Sequence, residues 1–375
     1  MSVEATTHSD GRQSSRNRLV WADWARALGA CAVVAIHVLV STRISLVSGG
    51  VFPPAREVAY GLIEATLLRW AVPAFMMLTG YLMFDESRPA KMRDMLRRAG
   101  RLGIVLVLFG TAFAAMEEAW GDLSTGGVDW LSLVPRSLVD VLTLRSWDHL
   151  WYLYATMGTY VTMPFLRRTR ATLGTSRFRI LSVAMFSAVL VLPTVASLSV
   201  SLSTGVASET WQWAESGWGQ LLRDVAVGVS LACVGGCLRD AWPARGLAVA
   251  GALSVAASAV AWVAAWEVGL GGVGADLLMH WSPLPAVAAL GVLSALRMAC
   301  GEDGRTAPRR VSALARDSLG VYVIHPLFVH LALLAVSPEP FPPVVFEVTF
   351  FVAVLLCSVA ATRLFRRIPH LGHLL

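Results

Sequence analysis

Ten stretches of this chain are apolar over about the length that crosses a lipid bilayer, and they limit what it can fold into. They fall near 22–42, 60–84, 102–120, 149–166, 180–200, 220–238, 246–266, 284–299, 318–336 and 343–362. Each is close to the ~20 residues that a transmembrane helix needs. Backbone polar groups in hydrocarbon must be satisfied within the segment, so blocks of this length predict helices. Charged residues make up 15% of the 375 positions, against about 25% in soluble domains, and mean hydropathy is +0.61. The predicted class is an all-α polytopic membrane protein of about ten transmembrane helices.

Basic residues cluster beside alternate ends of these blocks. They form groups at Arg12–Arg18, Arg88–Arg101, Arg167–Arg179, Arg239–Arg245, Arg305–Arg316 and Arg363–Arg367, while the intervening loops hold chiefly Arg43, Arg56, Arg136 and Arg145. Under the positive-inside rule both termini are cytoplasmic, as an even number of spans requires. The net charge of +6 therefore reflects topology, and no nucleic-acid partner is needed to explain it. The expected organisation is a disordered cytoplasmic leader at 1–17, one membrane-embedded domain at 18–367 and a cytoplasmic tail at 368–375. Residues 131–146 are too short and too charged to cross, and read as an amphipathic helix on the outer face with Pro135 in its first turn. The Gly-rich stretch 269–274 and the Ser/Trp-rich stretch 201–219 read as loops on that same side. The five cysteines, Cys31, Cys233, Cys237, Cys300 and Cys357, lie in or beside apolar segments and read as small buried hydrophobes. No metal site is expected.

Within the first block, Arg26 and His37 are eleven positions apart. Eleven helical steps make about three turns plus 20°, so the two share a face and stand about 16 Å apart along the axis. Asp23, one turn before Arg26, can pair with it. Ionisable groups inside a membrane helix are costly and mark functional interiors, and a neutral imidazole has the pKa range of a general base. A histidine simply hydrogen-bonded to a neighbouring helix is the plainer alternative.

Three further groups carry potential chemistry. Arg97, Arg98 and Arg101 begin the third block, where they serve either as topological anchors or as a grip on phosphate oxygens. Asp148-His149-Leu150-Trp151-Tyr152 opens the fourth, with aromatic residues of the kind common at membrane interfaces. Ser318, Tyr322 and His325 are spaced four and three apart and line one face of a helix. No phosphate-binding glycine loop, nucleophile elbow or zinc-binding helix occurs.

Taken together these residues resemble the acyltransferase type 3 family of integral membrane O-acyltransferases. The family's arginine, ten residues and histidine in the first span correspond to Arg26 and His37, with its upstream aspartate at Asp23. Val72-Pro73-Ala74-Phe75-Met76-Met77-Leu78-Thr79-Gly80 is similar to its Val-Pro-x-Phe-x-x-x-Ser-Gly, with Thr for Ser. Arg98 and Arg101 match its Arg-x-x-Arg, and His149-Leu150-Trp151-Tyr152 resembles its His-Leu-Trp-Phe. Ser318 to Pro326 resembles its late Ser-x-x-x-Tyr-x-x-His-Pro element.

The resemblance implies transfer of an acyl group, acetyl first, from acyl-CoA to a hydroxyl of a cell-surface polysaccharide, lipid-linked sugar or secondary metabolite. It implies catalysis by His37 with Arg26 and Asp23, and donor binding by Arg98, Arg101 and Arg97. The acceptor would meet His149, Trp151, Ser318, Tyr322 and His325. The expected setting is a bacterial plasma membrane, with homo-oligomerisation left open. The rival reading is a secondary transporter or flippase of a sugar or lipid-linked substrate, using the same charged stripe as its path. The chain has no internal repeat of the kind many transporters are built from.

Overall fold

A computed structural model describes residues 19–48, 50, 54–87, 91–125, 130–143, 148–204, 217–240, 242–301, 306–339, 341–369 and 371–375. The expected leader, Trp147 and most of the 201–219 loop lie outside them. The elements are α1 (Val20–Ser48), α2 (Pro54–Ile63), α3 (Ala71–Met83), α4 (Met92–Thr125), α5 (Trp130–Leu142), α6 (Trp151–Phe186) and α7 (Leu192–Thr204). They continue with α8 (Gly217–Cys237), α9 (Ala244–Glu267), α10 (Gly271–Leu277), α11 (Pro283–Cys300), α12 (Arg309–Ala335) and α13 (Pro343–Phe365). Among the described residues there is no strand, and nine helical runs are long and apolar enough to cross a membrane. The chain is a multi-pass all-α membrane protein.

The longest run, Trp151–Thr204, has 54 residues, roughly 80 Å if straight, against about 30 Å of hydrocarbon. It is broken at Gly174, where φ is 74° and ψ 168°, a conformation that glycine adopts without steric penalty. Met163 and Phe178 share one buried cluster, and Ala155 and Leu190 share another. The two arms therefore run back along each other, and the nine runs carry all ten apolar blocks of the sequence.

Helix α1 is the axis of the bundle, packed against α3, α11, α12 and α13. Its neighbours approach closely because small residues face one another, as lipid-embedded helices require for dispersion contact. A Cβ on Gly80 of α3 would strike the Ala232 carbonyl of α8, and one on Gly235 of α8 would strike the Met77 carbonyl of α3. Gly251 of α9 and Gly291 of α11 block each other in the same reciprocal way.

Contacts among helix ends and the turns beside them gather the basic clusters at one end. Arg170 reaches Asp240 at 2.5 Å and Arg239 reaches Asp85 at 3.4 Å. Asp317 of α12 takes both Arg363, at 2.9 Å, and Arg366. The other end holds Arg43 with Glu57 at 2.8 Å, and Glu347 accepting from Tyr60 at 2.5 Å and from Thr42 at 3.4 Å. This segregation of arginine is the pattern that the alternating loop charges predict.

Two local expectations change. Residues 130–142 do form a short amphipathic helix, burying Leu133, Ser137 and Val141 at four-residue spacing. It starts at Trp130, so Pro135 falls in the second turn rather than the first. The stretch 269–274, expected as a loop, turns at Gly269 (φ 74°) into the short helix α10.

Gly235→Ala should lower the stability of the detergent-solubilised protein by about 1–3 kcal/mol, the usual cost of overpacking. Gly246→Ala, where nothing lies within 4 Å of the added carbon, should be neutral or mildly stabilising. Thermal melts of the two variants against the parent check both.

Candidate active site

The helical arithmetic of α1 holds in three dimensions. Arg26 donates to Asp23 at 3.4 Å, and Asp23, buried, also accepts from Ser312 of α12 at 3.0 Å. The aspartate thus holds both the arginine and the start of a second helix. One and two turns on, Ala30 and Val33 continue the Arg26 face along a cavity of about 320 Å³. That volume is at the small end of ligand pockets, which run about 300–1,000 Å³.

Four helices supply the rest of the cavity wall. Thr79 comes from α3, Arg98 from α4, Tyr152, Thr156 and Tyr160 from α6, and Ser318 and Tyr322 from α12. Arg98 stands near Met83, its guanidinium 3.4 Å from the thioether sulfur, so that part of the cavity wall belongs to the arginine-rich end. Its walls are apolar, with a few placed hydroxyls and two guanidinium groups, a composition suited to a slender, partly polar chain.

Beyond the cavity's inner end three imidazoles converge. The His37 ring lies 4.7 Å from that of His325 and 6.2 Å from that of His149, and the last two are 5.8 Å apart. Their hydrogen bonds set the proton on each ring. The His37 Nδ1 donates to the Val33 carbonyl at 2.9 Å. The His325 Nδ1 lies 2.8 Å and 3.0 Å from the Tyr322 and Val321 carbonyls. A carbonyl can only accept, so in the neutral ring Nδ1 carries the hydrogen and Nε2 the lone pair. Val33 and Tyr322 both line the cavity, and each anchors a histidine pointing onward from it. His149 has the opposite tautomer, because its Nε2 donates to the Val323 carbonyl at 3.4 Å.

His325 and His149 are buried, and His37 is half-buried. The His325 Nε2 is enclosed with no hydrogen-bond partner, a costly arrangement unless a ligand group completes it. The Tyr322 hydroxyl donates to the His149 carbonyl, tying α12 to the Asp148–Leu150 turn that precedes α6.

Other sequence-predicted residues divide between this centre and its surroundings. Asp23, Arg26, His37, Arg98, His149, Ser318, Tyr322 and His325 belong to one connected region. Arg97 is exposed and does not line the cavity. Arg101 does not line the cavity either, and donates to the Leu374 carbonyl at 3.0 Å. Trp151 stacks instead on His280 with ring centroids 3.8 Å apart. Tyr152, expected among the interfacial aromatics, is cavity wall, as is Tyr160; both stand four residues from Thr156, and that spacing was the available signal. Asp224 and His280 carried no local signal at all. Among the described residues, no three His, Cys, Asp or Glu side chains gather to hold a metal ion.

The family model for an acyltransferase domain of type 3 matches residues 19–363, nearly the whole chain. The chain belongs to this family. No curated protein and no solved structure matches it significantly. As a type 3 acyltransferase it carries its first-span Asp23, Arg26 and His37 on the helix that organises the bundle, with the cavity alongside.

Asp23→Ala removes the acceptor for Arg26 and Ser312 together and should cost about 1–3 kcal/mol. Asp23→Asn keeps an acceptor for the Ser312 hydroxyl and should lose less than half of that. Thermal unfolding of both variants in one detergent gives the comparison.

Proposed function

We propose that this membrane acyltransferase moves an acyl group, acetyl first, from acyl-CoA to a hydroxyl of a surface polysaccharide, lipid-linked sugar or secondary metabolite in a bacterial plasma membrane. The observation that carries the reading is the His37 tautomer. Its Nδ1 is bonded to a backbone carbonyl, which makes Nε2 the basic nitrogen of the neutral ring, the one a general base would use. Of the three clustered histidines His37 is the one least shut away, as a base that must meet substrate should be.

The donor enters from the arginine-rich end, taken as cytoplasmic, with Arg98 beside its phosphates. The acyl-bearing arm lies along the cavity past Arg26, Thr79 and Ser318, which brings the thioester towards the histidines. The His37 Nε2 takes the proton of the acceptor hydroxyl as the oxygen attacks the thioester carbonyl. The tetrahedral intermediate expels the sulfur, and the imidazolium returns the proton to the leaving thiolate, so His37 ends as it began.

His325 has a different part from the one the sequence invites. With Nδ1–H bound to carbonyls, its free Nε2 accepts a hydrogen bond and cannot donate one to a developing oxyanion. It therefore orients the acceptor by accepting from a second hydroxyl, which favours a polyhydroxylated substrate. The roles of Arg97 and Arg101 shrink accordingly, to shaping the field at the mouth.

Two experiments test this reading, both measuring thiol release from acetyl-CoA by membranes carrying the protein. His37→Gln should lower the rate by about 10²–10⁴-fold, the usual worth of a positioned general base; near-parental activity sinks the base assignment. Arg98→Ala should raise the KM for acetyl-CoA about tenfold with kcat little changed, as loss of uniform binding does. An unchanged donor KM removes Arg98 from the donor site.

A further inference from the structure

The turn that delivers His149 sends its neighbouring side chains in two directions. His149 faces His37 and His325, Leu150 is fully buried, and Trp151 faces a second polar cluster. There the Trp151 indole stacks on the His280 imidazole with ring planes 15° apart. The His280 Nε2 lies 3.2 Å from Asp224, which also takes the Arg223 guanidinium at 3.0 Å. Arg223 lies over the Trp281 ring at 4.0 Å, and Trp281 meets His280 edge-on at 4.7 Å. Asp224 and Arg223 are buried, so both charges depend on these partners. Burial pushes the His280 imidazole below its ordinary pKa while Asp224 pulls it back.

None of the five residues of this cluster lines the cavity along α1. Yet it spans three separate elements, since Asp224 belongs to α8, His280 precedes α11 and Trp151 opens α6. The Tyr322 hydroxyl holds the same turn from the other side through the His149 carbonyl. The short turn is thus clamped at two points, one polar and one aromatic.

We infer that His280, held by Asp224, is a positioning residue: its stack on Trp151 fixes the Asp148–Leu150 turn and sets where the His149 ring stands against His37 and His325. The catalytic part of this rests on the acyl-transfer reading given above, and the structural part does not. Small displacements at a reacting centre cost up to about 10²-fold in rate, so an anchor two residues from a site histidine has leverage out of proportion to its own contacts. His280 touches no reacting atom in this scheme and acts only through Trp151.

The test combines a double-mutant cycle with a spectroscopic readout. Acetyl-CoA thiol release would be measured for His280→Ala, Trp151→Ala, the double variant and His280→Phe, which keeps a ring on the indole. Each single alanine variant should lose about 10- to 100-fold in kcat with the donor KM within about twofold, and the double variant should be no slower than the slower single one. His280→Phe should recover most of the loss. In parallel, imidazole nitrogen NMR of histidine-labelled protein in detergent, with the His149 signal assigned by its absence in His149→Gln, should move in His280→Ala and stay near its parental position in His280→Phe. Multiplying losses in the double variant, a fully active His280→Ala, a His280→Phe as slow as the alanine variant, or an unmoved His149 signal each overturns the inference. Parental membranes that release no thiol above empty ones refute the acyl-transfer reading instead, and the NMR comparison still decides the positioning role.

Discussion

A polar side chain inside a bilayer has no water to fall back on, so its partner must come from the protein. On a helix the nearest available acceptor is the carbonyl one turn back. Both cavity-end histidines use it, His37 on Val33 and His325 on Val321 and Tyr322. That bond satisfies one nitrogen, and in doing so fixes which nitrogen carries the lone pair of the neutral ring. One contact thus buries polarity cheaply and sets the tautomer. His330 makes the same bond, to the Pro326 carbonyl at 3.1 Å, but on an exposed face of α12. The bond alone does not make a site; convergence with other helices does.

That convergence depends on α1. The helix carries the Asp23, Arg26 and His37 stripe and touches four of its neighbours, while Asp23 reaches across to Ser312. Glycines let the surrounding helices close in, with Gly80 and Gly235 at one contact and Gly251 and Gly291 at another. The cavity beside α1 sits within this close-packed frame, its wall drawn from α1, α3, α4, α6 and α12.

What was legible in the sequence was whatever lies on one uninterrupted helix. The common face of Arg26 and His37 follows from eleven residues of regular spacing, and so does the shared side of Ser318, Tyr322 and His325. The apolar blocks were legible too, because hydrocarbon thickness sets their length, and among the described residues all ten fall on nine helical runs. What could not be read was the meeting of separate elements. His149 looked like a residue at the edge of its span, and turns inward because a single 3₁₀ turn precedes α6. His280 and Asp224 are far apart in sequence, and nothing local joins them. Arg101 seemed as good a phosphate ligand as Arg98, but their helix turns it to the Leu374 carbonyl.

The second span contains a case where chain length, rather than residue type, determines a contact. Glu64 and Arg69 are five residues apart, and on an α-helix they would diverge by about 140°. They pair because residues Glu64–Leu68 form a π turn, with the Arg69 N–H bonded to the Glu64 carbonyl at 3.0 Å. A π turn holds one residue more than an α turn can accommodate. Losing one of the four intervening residues would return the segment to α geometry and leave the two charges four apart, still within about 40° of each other on the helix face. The π turn thus lets the span hold one extra residue and keep the pair, a tolerance of length that substitution scans never test and deletion scans do.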